Sequence, residues 1–244
     1  MSDLEKVLKK LDEVTYTFRF NLLSNKSTVI EFRPIKVKDQ KKLIVDSANE
    51  TQINQLKALM ELLQSCIKSS NLKVENFTFQ DFIWGIINLR MKSQGETIDV
   101  VGICDKCGHK VLQLPVNLEN KCVPGYLDGI KNSEVKIDDL IFKLRLPRMK
   151  DIINMPSDLS NSDLEYHTLT NMIDYVSVGE EVLDLTLEEK IQVLDNLDSK
   201  YLEIFKTFEK DNEFGPTLNI DFKCPACQHD NKIAIKEDIL NFFF

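Results

Sequence analysis

Apolar positions along this chain recur in two periods, one helical and one alternating. Leu4, Val7, Leu8 and Leu11 fall at helical spacing and predict an amphipathic helix over residues 2–13, expected to pack on the body, with docking on a partner as the alternative. Tyr16 to Leu23 alternates as a strand, Ser24 to Ser27 turns, and Thr28 to Phe32 returns, giving a hairpin that Arg33-Pro34 ends. Helices are expected over residues 36–49, 52–69 and 79–92. The second carries Ile53, Leu56, Leu59, Met60, Leu63 and Cys66 on one stripe, and the third carries Phe82, Ile83, Ile86 and Ile87 before Gly95 stops it.

Residues 118–128 read as a connector with a turn at Pro124-Gly125. A second hairpin follows over residues 134–137 and 140–146, ended by Pro147. Helices are then expected over residues 148–154, 163–176, 186–197 and 201–210, the third opened by the capping box Thr186-Leu187-Glu188-Glu189.

The halves share an order of hairpin, proline, helices, strand, cysteine pair and strand. Arg33-Pro34-Ile35-Lys36-Val37-Lys38-Asp39 echoes Leu146-Pro147-Arg148-Met149-Lys150-Asp151, and Thr78 to Asp81 stands where Thr186 to Glu189 does. The expected fold class is α+β: two tandem pseudo-symmetric hairpin-plus-helices repeats clasped by one zinc-ribbon-like four-cysteine site. The expected divisions are an N-terminal helix at 1–14, repeat 1 at 15–118, a linker at 119–133 and repeat 2 at 134–244.

The clasp is read from Cys104-Asp105-Lys106-Cys107 and Cys224-Pro225-Ala226-Cys227. Each C-x-x-C lies between two apolar, β-branched runs, the layout of a zinc knuckle at a hairpin tip. Two intervening residues let both sulfurs of a pair reach one metal. Gly108 suits a left-handed turn residue after the first pair, and Gln228 fits that place less well. Closing so long a loop costs about 4–5 kcal/mol, and a structural zinc site supplies about 10–16 kcal/mol. Cys104, Cys107, Cys224 and Cys227 are therefore the candidate ligands of one structural zinc, with iron as the alternative metal. A redox pair is the alternative chemistry, and His109 or His229 the alternative ligand. Of the other cysteines, Cys66 is expected in the core and Cys122 is unassigned.

Composition narrows the functions. The 244 residues are 43% hydrophobic and 29% charged, with a formal net charge of −8, the wrong sign for gripping a nucleic-acid backbone. The basic cluster Arg33, Lys36, Lys38, Lys41 and Lys42 reads as a solvated face. The charged start carries no signal peptide pattern, and no run reaches the roughly 20 apolar residues of a membrane span. No G-x-S-x-G, phosphate-cradling glycine loop or histidine–carboxylate motif is present, so catalysis is not expected. The tail residues Ile239, Leu240, Phe242, Phe243 and Phe244 are a candidate docking element for a partner, or else pack back on their own domain.

Several stretches together resemble one family. Phe32-Arg33-Pro34-Ile35-Lys36-Val37-Lys38-Asp39-Gln40-Lys41-Lys42-Leu43, Leu89-Arg90-Met91-Lys92-Ser93-Gln94-Gly95-Glu96, the first knuckle, Asp221 to Cys227 and the phenylalanine-rich end look like the baseplate hub assembly proteins of T-even-type contractile-tailed bacteriophages. The resemblance covers about residues 15–244. It implies a non-enzymatic factor made late in infection, located in the host cytoplasm or in the virion tail baseplate. Such a factor binds hub and spike proteins as a chaperone of hub assembly. No nucleic-acid or membrane partner is expected. The alternative is a zinc-ribbon nucleic-acid binder, for which Lys106, Lys110, Lys223 and Lys232 surround the knuckles, diluted by Asp105, Asp221 and Asp230.

Overall fold

The computed structural model describes residues 2–47, 51–69, 71–156 and 161–235. In chain order these form α1 (Asp3–Val14), β1 (Phe18–Asn21), β2 (Val29–Phe32), α2 (Val37–Ser47), α3 (Gln52–Cys66), α4 (Phe79–Gln94), β3 (Thr97–Ile103) and β4 (Lys110–Asn117). There follow α5 (Leu118–Lys121), β5 (Cys122–Gly125), β6 (Glu134–Ile137), β7 (Leu140–Leu144), α6 (Met149–Ile153), α7 (Asn161–Met172), β8 (Ile173–Val178), β9 (Glu181–Leu183), α8 (Leu187–Asp195), α9 (Leu202–Asp211), β10 (Gly215–Lys223) and β11 (Asp230–Ile235). The mixed helix and strand content expected from the periodicity is present.

Two apolar cores form. The first is built on the stripes of α3 and α4, with Leu59, Leu63, Phe82 and Ile87 sealed against Ile30 and Phe32 of the first hairpin. The second gathers Phe142, Ile173, Phe205 and Phe208 under a four-stranded antiparallel sheet in the order β6-β7-β8-β9. The cores cut across the sequence halves. Leu218, Ile220 and Phe222 of β10, and Met149 of α6, belong to the first core. Strand β10 also pairs with β5, Leu218 opposite Cys122.

Each hairpin is followed by the same electrostatic lock. Arg33 donates from Nη1 and Nη2 to Asp39 Oδ2 and Oδ1 at 2.6 and 3.2 Å, and the Lys36 N–H donates to Asp39 Oδ2 at 2.8 Å. Arg145 forks onto Asp151 at 2.6 and 3.1 Å, and the Arg148 N–H donates to Asp151 Oδ2 at 2.7 Å. The backbones agree as well. Arg33 N–H reaches the Cys66 carbonyl and Arg145 N–H reaches the Met172 carbonyl, both at 2.8 Å. The matched geometry thus begins at Arg145, one residue before the Leu146 that the text comparison aligns. Planar guanidinium suits this two-point grip of a carboxylate. Arg33 is consequently held in a lock, largely shielded, and is not part of a solvated basic face.

The buried carboxylate of Asp81 joins the first hairpin turn to α4. It accepts from the Ser24 N–H at 2.9 Å, the Ser24 hydroxyl at 2.5 Å and the Thr78 hydroxyl at 2.7 Å. Thr78 also caps α4, accepting from the Asp81 N–H.

Several expectations are corrected. The helix expected over residues 163–176 stops at Met172, and Ile173–Val178 is a strand between β7 and β9. β-Branched Ile173, Val176 and Val178 fit that sheet better than a helix. The connector holds a short helix and strand β5 rather than loop alone. Helix α1 does not pack on the body: Leu4, Val7, Leu8 and Leu11 are exposed. Cys66 is fully buried as expected, and Cys122 is buried too. Among the described residues no helix is long and apolar enough to cross a membrane.

Two predictions follow from these locks. Asp81→Ala leaves three donors unpaired in a buried site and is expected to lower unfolding stability by about 3 kcal/mol or more in urea titration. At Asp39 burial alone pushes the carboxyl up, but the Arg33 fork and the Lys36 N–H reverse this and hold it below its usual range. A depressed carboxylate stabilises the fold fully above its unfolded pKa of about 3.9 and loses that contribution as pH falls through the folded value. Asp39→Asn should therefore destabilise at pH 7 by about 2–3 kcal/mol and leave a shallower acid limb than the parent.

Candidate metal centre

Two hairpins present the four cysteines. Strands β3 and β4 pair antiparallel, Ile103 opposite Lys110, and β10 and β11 pair with Lys223 opposite Asp230. The turn hydrogen bonds repeat from one tip to the other. Gly108 N–H donates to the Cys104 carbonyl and Gln228 N–H to the Cys224 carbonyl, both at 2.9 Å. Cys104 N–H donates to the His109 carbonyl at 2.9 Å and Cys224 N–H to the His229 carbonyl at 2.8 Å. Gly108 and Gln228 both take left-handed φ, 70° and 62°. Glycine reaches that conformation freely, whereas Gln228 reaches it at a steric cost of roughly 1–2 kcal/mol.

The tips face each other. Cys104 Sγ lies 3.7 Å from Cys227 Sγ, and Cys107 Sγ lies 3.6 Å from Cys224 Sγ. All four sulfurs lie within 4.8 Å of one another. A tetrahedral shell with metal–sulfur bonds of about 2.3 Å has sulfur–sulfur edges of about 3.8 Å, so the donor set fits a metal ion. A disulfide would need about 2.05 Å, and all six cysteines are free thiols. Cys104 and Cys224, the first of each pair, are buried, while Cys107 is exposed and Cys227 half-buried.

The sulfurs cannot share this space as four thiolates without a cation between them. Burial pushes the Cys104 thiol up, but the N–H groups of Cys107 and Lys106 and the neighbouring sulfurs bring it down to about 6. At Cys107 the His109 N–H pulls the other way from Cys227, burial, Cys224 and Cys104, which together raise it to about 12. One sulfur is thus ready to ionise while its neighbour holds its proton. A dication held by the four sulfurs would remove that conflict by favouring the thiolates.

Side chains other than the cysteines tie the tips together. The Asp105 N–H donates to Asn231 Oδ1 at 3.1 Å, Asn231 Nδ2 donates to the His229 carbonyl at 3.0 Å, and His229 Nε2 lies 3.0 Å from Asp105 Oδ1. Asn231 is buried. Behind the tips, a Cβ on Gly102 would stand 3.1 Å from the Phe222 ring, so glycine lets the two hairpins approach. No spacing rule marks Asp105, Asn231 or Gly102, because each acts across the interface. His109 and His229 stay outside the four-sulfur group. The tail residues Ile239, Leu240, Phe242, Phe243 and Phe244 lie outside the described residues.

The site yields a direct prediction. The reduced chain should carry one soft metal ion per chain by elemental analysis, with affinity falling as pH is lowered. Cys224→Ser should lose that metal and melt well below the parent. A chain that is metal-free and indifferent to chelator would exclude a metal role for the cluster.

No curated protein and no solved structure matches the chain. The family described as T4 bacteriophage base plate protein matches residues 14–244, nearly the whole chain. That span takes in both hairpin tips, both Arg–Asp locks and both cores, and the chain belongs to the T4 bacteriophage base plate protein family.

Proposed function

We propose that this chain is a non-enzymatic tail assembly factor that binds hub and spike proteins while the phage baseplate hub is built. In this reading it works in the host cytoplasm, as a chaperone that need not remain in the virion, and one structural zinc ion joins Cys104, Cys107, Cys224 and Cys227. The observation that carries the reading is the family match over residues 14–244. The cysteine cluster supports the metal: four sulfurs complete a tetrahedral shell and leave no coordination position for a water or substrate. Four-thiolate sites favour zinc over harder ions.

The reading also takes the chain as a duplicated unit, residues 15–118 and 134–244 around a linker at 119–133, each copy donating half the metal shell. The matched Arg33–Asp39 and Arg145–Asp151 locks, and the matched turn bonds at the two tips, support this.

Native mass spectrometry of the zinc-loaded chain, alone and mixed with hub and spike proteins of the same phage, tests the proposal. The expected result is one zinc per chain and a defined complex with a hub component. Failure to associate with any hub or spike protein, together with a salt-dependent shift of labelled DNA or RNA, would instead assign the chain to nucleic-acid binding.

A further inference from the structure

Helix α1 is built to hold its shape without the body. Ser2 and Glu5 cap its first turn reciprocally, Ser2 N–H to Glu5 Oε2 at 2.6 Å and Glu5 N–H to Ser2 Oγ at 3.2 Å. Lys6 pairs with Asp3 and Lys10 with Glu13 along its polar side. Yet Leu4, Val7, Leu8 and Leu11 are 66%, 57%, 51% and 61% exposed. Their i, i+3, i+4, i+7 spacing is that of a helix lying along an apolar surface. Helix α1 also precedes nearly all of the stretch that the family matches, so the shared fold does not account for its stripe.

A second helix carries exposed apolar residues of its own. Helix α2 turns Leu43 toward the first core and leaves Val37, Ile44 and Val45 outside, 68%, 68% and 72% exposed. Lys38 and Lys41 are exposed on that side.

We propose that these two faces meet between two copies of the chain, α1 of each protomer lying on α2 of the other. Three observations favour a second copy as the occupant. The apolar stripes match in kind and occur once each per chain, so the exchange is reciprocal and closes on a two-fold axis. One four-residue helix stripe falls short of the roughly 800 Å² per partner of a stable interface, and two reciprocal contacts double what is buried. The charges are complementary: Glu5 flanks the α1 stripe, and Lys38 and Lys41 flank that of α2. A bilayer surface fits less well. Helix α1 holds more acids (Asp3, Glu5, Asp12, Glu13) than lysines (Lys6, Lys9, Lys10), and the chain carries a net charge of −8. The proposal is independent of the metal centre and of the assembly role.

Sedimentation velocity of the full metal-loaded chain over roughly 1–100 μM tests it. The expected result is a concentration-dependent dimer whose Kd rises tenfold or more in Leu8→Glu and in Val45→Glu, with metal content unchanged. A monomer throughout overturns the proposal and leaves the stripe to a different protein. A dimer indifferent to both glutamate variants overturns it too, since its interface lies elsewhere. A monomer that co-sediments with phosphatidylglycerol vesicles through Leu8 overturns it in favour of a lipid surface.

Discussion

Four sulfurs held within 4.8 Å of one another set the problem that the rest of this chain solves. Their ionised forms repel, and they come from hairpins separated by more than a hundred residues of sequence. A cation between them answers the repulsion. Bringing the hairpins together is a matter of packing. Gly102 lets the Phe222 ring approach, Asn231 and His229 reach across to Asp105, and Leu218, Ile220 and Phe222 anchor β10 in the first core. The four-cysteine cluster therefore sits on an interface that is already built. The loop-closure cost of about 4–5 kcal/mol falls on that burial, and a metal held by the cluster would share it.

Strand β10 is where the two requirements meet. One edge pairs with β11 to form the second tip, and the other pairs with β5, just beyond the first tip in sequence. Its buried side chains lie in a core formed mainly by the first half of the chain. Met149 joins the same core, and its N–H donates to the Phe77 carbonyl at 2.8 Å. These contacts interlock the halves, so loss of a metal from the cluster would loosen the tips without separating the cores.

What could be read in the sequence was what local chemistry determines. The cysteine spacing, the φ > 0 residue after the first pair, the α3 and α4 stripes and the Thr186 cap each depend on neighbours within a few residues, and each is found in place. What could not be read depends on distant partners. Ile173–Val178 carries apolar residues compatible with a helix or a strand, and only pairing with β7 and β9 decides. Strand β5 exists because β10 lies beside it. The expectation for α1 failed in the opposite sense: its periodicity was correct, but periodicity says which face is apolar and not whether anything in the same chain covers it.

The two Arg–Asp locks share a geometry that the proline-anchored text comparison misses. Pro34 follows Arg33 directly, whereas Leu146 follows Arg145 and Pro147 comes one residue later. A reading anchored on proline therefore slips by one. The Arg–Asp fork keeps its six-residue span in both copies because a guanidinium must reach the carboxylate that also accepts the N–H at the helix start. Proline at that corner contributes stiffness, which other residues can replace. On the duplication proposed here, the constrained positions are those whose donors and acceptors face one another. The surrounding residues would then have drifted, and the second sheet carries β8 and β9 beyond its hairpin where the first holds β1 and β2 alone. The cysteines would be constrained in the same way on the metal reading, since a tetrahedral shell would fix both pairs at once and a change in either would be felt by all four sulfurs.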